Sequence, residues 1–229
     1  LIKDDTKLII INFPHNPTGF SPEIDEYLHI FEIAKRKGIP VFSDEMYRFL
    51  NHGNNLALPP ACDIYEDAIS LWGTAKTFGL AGLRLGWLTT KNKGLLKKIE
   101  SFKDYLTICN SAPSEVLATI ALNNPEHFVK PNIEKIQSNI KVFENFVHRN
   151  PGLFEFYKPK SGSTAFVKLL KQEPAMIFAE KLVKETGIMT LPSETFEFGT
   201  SYIRIGFGRK NMPEALQVLE EYLNKNNFN

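Results

Sequence analysis

The run Ser70-Leu-Trp-Gly-Thr-Ala-Lys-Thr-Phe-Gly-Leu-Ala-Gly-Leu-Arg-Leu-Gly-Trp87 decides the fold. Ala68, Ile69, Leu71 and Trp72 read as a buried strand that stops at Gly73. Lys76, Gly79, Gly82 and Arg84 follow before the apolar run Leu85 to Leu88, so the lysine sits in a tight turn.

A lysine at the end of a buried strand, with apolar neighbours and few acids close in sequence, is expected to be partly desolvated. That lowers the cost of the neutral amine, the form that attacks carbonyls. Gly79, Gly82 and Gly86 would let the backbone approach a ligand closely, and Arg84 offers a planar fork for a phosphate. Lysine and arginine together point to a phosphorylated aldehyde cofactor. A solvated loop is the competing reading, since Gly79-x-x-Gly82 is weak evidence for any phosphate site.

The flanking sequence extends the sheet. Leu8-Ile-Ile-Ile-Asn-Phe13 is apolar at nearly every position, as in a parallel strand covered on both faces. Pro14 to Gly19 is a rigid turn. Ser21 is the expected N-cap of a helix with Pro22 at its first position, carrying Ile24, Tyr27, Leu28 and Phe31 at helical spacing up to Gly38. Ile39 to Ser43 reads as the next strand. Strand, helix, strand defines a right-handed βαβ unit and hence α/β architecture with a parallel sheet. Asn16, then Asp44 and Tyr47, then Lys76 follow the carboxyl ends of successive strands, the edge where ligands bind in open α/β sheets.

Beyond Trp87, Lys91 to Lys103 and Ser114 to Leu122 read as helices. A long helical pattern from Pro125 to about His148 places Ile133, Ile136, Ile140, Phe143 and Val147 on one face. Strands are expected at Phe154 to Tyr157, Thr164 to Leu169, Ile188 to Leu191 and Tyr202 to Phe207, with helices at Ala175 to Thr186 and Pro213 to Leu223. This mixture indicates a second, smaller α+β domain. Arg204 lies between Ile203 and Ile205, either as an outward, solvated residue or as a carboxylate clamp. The Asn-rich end, Asn224 to Asn229, is expected to fray.

Composition excludes several function classes. Hydrophobic residues make up 43% and charged residues 23% of 229, ordinary for a globular protein. A net charge of +1 gives no electrostatic case for nucleic acid or an anionic membrane. Cys62 and Cys109 make neither a disulfide framework nor a zinc cluster, so no metal is expected and a reducing cytoplasm is. No apolar run has bilayer-spanning length, and the opening residues do not read as a signal peptide. The chain starts at Leu1, a few residues before an apolar strand, as if inside a domain.

Asn16-Pro-Thr-Gly19, Asp44-x-x-Tyr47, Lys76-x-Phe-Gly-Leu-x-Gly-Leu-Arg84-x-Gly and Tyr202-Ile-Arg-Ile205 together resemble the class I/II aminotransferases, fold-type I enzymes dependent on pyridoxal 5′-phosphate. The resemblance covers almost the whole chain. It implies the C-terminal part of a mainly parallel-sheet large domain over 1–124, then an interdomain helix and small α+β domain over 125–229. By the same resemblance, Lys76 is the catalytic residue. It forms the Schiff base with the cofactor aldehyde and then carries the proton between substrate Cα and cofactor C4′. Asp44 would pair with the pyridinium nitrogen, Tyr47 and Asn16 with the ring's phenolic oxygen, and Arg84 with the phosphate. Arg204 and Asn16 would bind the substrate, Arg204 through its α-carboxylate.

Three features depart from the family pattern. Gly73 and Ala75 stand where relatives often have phosphate-binding serines, leaving Thr74 or Ser70 as substitutes. Pro192-Ser193 replaces a common Pro-Gly. The first strands of the large domain, a phosphate loop and the aromatic that stacks on the cofactor are missing, so the chain reads as a C-terminal portion that would bind cofactor poorly by itself and expose apolar sheet surface. Amino-acid and 2-oxo-acid substrates and a homodimer are further implications. The alternatives are another reaction on the same cofactor, such as β-elimination or cyclisation, or a non-enzymatic regulator with an aminotransferase-like domain.

Overall fold

The β-branched run near the start forms β1 (Ile9–Asn12) in a computed structural model that describes residues 1–53, 57–170 and 173–226. Contacts divide the chain into two units: Leu1–His15 with Phe20–Asn132, and Asn16–Gly19 with Ile133–Asn229.

In the first unit β1 is followed by α1 (Ile24–Lys37), β2 (Val41–Asp44), α2 (Ala61–Ile64), β3 (Ala68–Gly73), β4 (Gly86–Thr89), α3 (Lys93–Leu106) and α4 (Ala112–Asn123). The strands lie in the order β1-β2-β3-β4. The first three are parallel, as the βαβ pattern requires, and β4 returns antiparallel to β3 with Trp72 opposite Trp87. Helix α1 buries Tyr27, Phe31 and Ala34 against Ile11, Val41 and Ala68. Tyr27 and Phe31, one turn apart, meet edge to face at 5.0 Å. Burying a side chain such as Phe31 stabilises the unit by about 1.5–3 kcal/mol.

The start of α1 corrects the sequence reading. Ser21 and Pro22 are buried ahead of the helix, and the N-cap is Glu23, whose N–H donates to Glu26 Oε2 at 3.0 Å. The helix begins where a side chain three residues on can return to an orphan backbone donor. At the sheet edge, Leu8 and Ile10 are 44% and 68% exposed.

Burial lowers the pKa of His15, just past β1, from its ordinary 6.5. The folded state then binds a proton less readily than the unfolded one. Stability from neutral His15 is present above about pH 6.5 and is lost as pH falls through the lower folded value. The urea midpoint should therefore drop between about pH 7 and pH 5, and less so in His15→Gln. An identical pH response in the variant would remove His15 as a contributor.

The helix α5 (Glu126–Arg149) contributes its first turns to the first unit and the remainder to the second. The second unit adds β5 (Phe154–Glu155), β6 (Thr164–Leu169), α6 (Ala175–Thr186), β7 (Leu191–Pro192), β8 (Tyr202–Gly206) and α7 (Met212–Lys225). Its strands are antiparallel, ordered β5-β6-β8-β7. Ala165, Val167, Leu169 and Ile203 point into a core shared with Ile136, Ile140, Phe143, Phe146 and Phe207. On α5 the apolar face is interrupted by buried Asn139, whose Nδ2 donates to Phe207 O at 2.8 Å and Arg209 O at 2.7 Å.

The strand expected at Ile188 starts only at Leu191. The Ile188 N–H is taken by Thr186 Oγ1 (3.1 Å), whose hydroxyl donates to Leu182 O (2.7 Å), so this backbone belongs to the helix terminus. The strand expected from Phe154 is two residues long. Asn224 lies in α7, while Asn227 to Asn229 of the Asn-rich end fall outside the described residues.

Candidate functional site

Asp44 ends β2 at the carboxyl edge of the first sheet. Its Oδ1 accepts the Met46 N–H at 3.0 Å, and its carbonyl accepts Phe13 N–H and Asn12 Nδ2, each at 3.2 Å. These bonds turn the chain so that Tyr47 is buried three residues on. Between them Glu45 is 4% exposed. Its carboxylate accepts Ser70 Oγ–H (2.7 Å), Ala61 N–H (2.9 Å) and Arg48 Nη1 (3.3 Å). Burial, and after it the nearby Glu45 charge, raise the pKa of the Tyr27 hydroxyl.

The next strand end carries the lysine loop. A Cβ at Gly73 would lie 2.9 Å from Leu85 O, so close pairing of β3 with β4 requires glycine there. Thr74 N–H donates to Leu85 O at 3.1 Å and Leu80 N–H to Thr74 O at 3.0 Å, closing the loop. Gly79, at φ 70°, has its Cα so near Asn132 that a Cβ would meet Nδ2 at 2.8 Å. Gly79 therefore lets the loop pack closely against Asn132. Thr77 Oγ1 donates to Arg48 O at 2.5 Å, and Asn132 Nδ2 to Thr77 O at 3.1 Å.

Buried Thr77 and Phe78 take the inward positions, leaving Lys76 exposed. Lys76 Nζ stands 5.8 Å from the Tyr47 ring centroid. Arg84 is exposed in the left-handed region (φ 52°), with Nη1 3.3 Å from Ala81 O.

The two hydroxyls named as substitute phosphate ligands have acceptors within the fold. Thr74 is fully buried and its hydroxyl donates to Leu85 O (3.1 Å), with Leu80 O 3.4 Å away. Ser70 is 3% exposed and donates to Glu45. Each hydroxyl has one proton, and inside a fold it goes to the nearest unsatisfied oxygen.

In the second unit Asn16 and Arg204, distant in sequence, come together: Arg204 Nη1 donates to Asn16 Oδ1 at 3.1 Å. Arg204 is half-buried rather than solvated, its guanidinium 5.7 Å from the Phe196 ring centroid. Phe166, its partner across β6 and β8, stacks on Tyr202 at 5.1 Å and meets Phe196 edge-on at 5.6 Å. Ser193 in the variant loop is fully buried; its Oγ donates to Gly199 O and accepts Tyr202 N–H, both at 3.1 Å. Ser193→Ala should destabilise the protein by about 1–3 kcal/mol, read as a lower urea midpoint. A midpoint equal to wild type would show that the hydroxyl does not hold this loop.

Asp44, Tyr47, Lys76, Thr74 and Arg84 thus belong to one sheet edge and its loop, and Asn16 and Arg204 form a pair in the second unit. Sequence reasoning missed Glu45, Thr77 and Asn132. For Glu45 a signal existed: residues alternate in a strand, so Glu45 continues the inward parity of Val41 and Ser43. Among the described residues no acidic, histidine or cysteine cluster could hold a metal, and no helix is long and apolar enough to cross a membrane.

An amine, a carboxylate and a phenol at one edge of a parallel sheet, with a guanidinium in the same loop, fit a pyridine aldehyde phosphate. That combination defines the pyridoxal-phosphate-dependent α/β class. The chain belongs to the class I and II aminotransferases, whose family profile matches residues 1–219. It is 25% identical to capreomycidine synthase of Streptomyces vinaceus over 226 residues, 97% of this chain and 57% of that protein. It is 28% identical to aspartate aminotransferase of Sulfolobus acidocaldarius over 237 residues, 98% of this chain and 58% of that protein. The crystal structure of a PLP-dependent aminotransferase from Streptococcus suis superposes with a TM-score of 0.89 at 28% identity, covering 98% of this chain and 59% of that one. The chain therefore spans a little over half the length of these relatives. The cofactor of the family is pyridoxal 5′-phosphate.

Proposed function

We propose that the protein is an aminotransferase that moves the amino group of an α-amino acid to a 2-oxo acid. The observation that carries this reading is the arrival of Asp44, Tyr47 and Lys76 at the carboxyl edge of one sheet, with Lys76 Nζ 5.8 Å from the Tyr47 ring. Residues 1–124 are assigned to the large cofactor-binding domain, and 125–229 to the interdomain helix and small domain.

When bound, pyridoxal phosphate supplies an electron sink for negative charge at the substrate Cα. Asp44, fixed by the Met46 N–H, would hold the proton on the ring nitrogen. Lys76 would offer its amine to the cofactor aldehyde and then hold and return the migrating proton. Tyr47 and the Asn16 amide would donate to the ring's phenolic oxygen. Arg84 would neutralise phosphate charge. Arg204, oriented by Asn16 Oδ1, would take the α-carboxylate. A homodimer working in the cytoplasm belongs to the same proposal.

The test is to add pyridoxal phosphate and single amino acids to the natural full-length protein and to follow absorbance and products. Visible absorbance that bleaches with an amino acid and reappears with a 2-oxo acid supports transamination. Absence of cofactor absorbance would overturn the reading. Similarity to capreomycidine synthase favours a second reading, cyclisation of an amino acid. A ring-closed product without a 2-oxo acid would select it, and ammonia release would select elimination.

A further inference from the structure

Glu45 sits between Asp44 and Tyr47 with its carboxylate turned inward, 4% exposed. It receives donors from three directions: Ser70 Oγ on β3, the Ala61 N–H at the start of α2, and Arg48 Nη1 on its own turn. Arg48 reaches further, its Nη1 donating to Leu58 O at 2.8 Å. The Arg48 carbonyl in turn receives the Thr77 hydroxyl, next to Lys76. The turn bearing Asp44 and Tyr47 and the loop bearing Lys76 are thus joined twice outside the strand ladder. Glu45–Ser70 joins them below the edge, and Thr77–Arg48 joins them at the loop.

We infer that Glu45 is a positioning residue that fixes the separation of Asp44 and Lys76 by tying the end of β2 to β3. The inference rests on the reading of this edge as the cofactor site. Glu45 does not touch the cofactor; it acts through the residues on either side of it. An inward carboxylate with three donors has one low-energy placement, and the turn built around it inherits that placement. A neutral amide at the same position keeps the shape but offers one acceptor oxygen instead of two, so it cannot serve Ser70 and Ala61 through Oε1 and Arg48 through Oε2.

The experiment titrates pyridoxal phosphate into the natural full-length protein and its Glu45→Gln, Ser70→Ala and Asn139→Ala variants, recording Kd and the pH midpoint of the cofactor's visible absorbance. At metal sites, losing an outer residue that orients the direct ligands costs about ten- to a hundredfold in affinity, and Glu45 is given the same orienting role here. Glu45→Gln should therefore raise Kd by roughly that factor and move the pH midpoint. Ser70→Ala should move both in the same direction by less, and decides the matter if Glu45→Gln fails to fold. Asn139→Ala, in the second unit, should lower the unfolding midpoint while leaving Kd and the pH midpoint at wild-type values. Wild-type Kd and pH midpoint in both Glu45→Gln and Ser70→Ala would overturn the inference while leaving the cofactor site standing. So would an equal rise in Kd for Asn139→Ala. No visible absorbance in the wild type would overturn the cofactor reading and this inference with it.

Discussion

Lys76→Ala in the natural full-length protein is expected to abolish the visible absorbance of bound pyridoxal phosphate and to reduce amino transfer by at least about 10²- to 10⁴-fold, the range for losing one positioned proton carrier. The loss should exceed that range because the same amine also takes up the cofactor aldehyde, and a group with two roles leaves neither behind when removed. The fold should survive. Lys76 is exposed, and its loop is held by Thr74, Thr77 and the Gly79 turn, none of which depends on the ammonium. The unfolding free energy should therefore stay within about 0.5 kcal/mol of wild type. Lys76→Arg sharpens the result: it keeps a positive charge near the Tyr47 ring but cannot deprotonate in a protein. If Arg restores activity, Lys76 serves as a charge; if Arg is as inactive as Ala, its amine is the reacting group. Activity within tenfold of wild type in the Ala variant would remove Lys76 from the chemistry.

The strands and the polarity of their ends were legible in the sequence because both follow from local pattern. Ile9 to Ile11 and, apart from Ser70, Ala68 to Trp72 are short apolar runs bounded by turn residues, the pattern of a strand in a parallel sheet. The turn residues that close them carry Asp44 and Lys76, so the functional edge could be placed without coordinates. Helix α5 was legible for the same reason, its apolar residues from Ile133 to Val147 recurring at helical spacing over about four turns.

Hydroxyl partners were not legible. Thr74 and Ser70 were named as candidates for phosphate, and both have acceptors inside the fold, Thr74 in Leu85 O and Ser70 in Glu45. Which acceptor a hydroxyl finds depends on chain segments that pairing brings close, and β4 delivers Leu85 O to Thr74 only once the sheet exists. Lys76 shows the same limit. Its neighbours in the turn do not share its placement, since Thr77 and Phe78 are buried and the lysine is not. Nearness in sequence fixes which residues share a turn and says nothing of which of them faces inward.

Arg204→Ala is expected to lower kcat/KM for an amino-acid substrate roughly 30- to 4,000-fold, the equivalent of about 2–5 kcal/mol for removing one partner of a desolvated charge pair. Strand parity placed Arg204 opposite in face to buried Ile203, but its partner Asn16 could not be read from sequence because it lies at the other end of the chain. That contact decides the form of the prediction. Asn16 Oδ1 holds one guanidinium nitrogen at 3.1 Å and Phe196 lies 5.7 Å from the guanidinium carbon, so the fork is oriented before any carboxylate arrives. Arg204→Lys retains charge without the fork and should recover only part of the loss. An amine substrate without an α-carboxylate should react equally slowly with wild type and Arg204→Ala, since neither offers it a partner. If the variant slows both substrates alike, Arg204 supports the fold of β8 and the carboxylate is bound elsewhere.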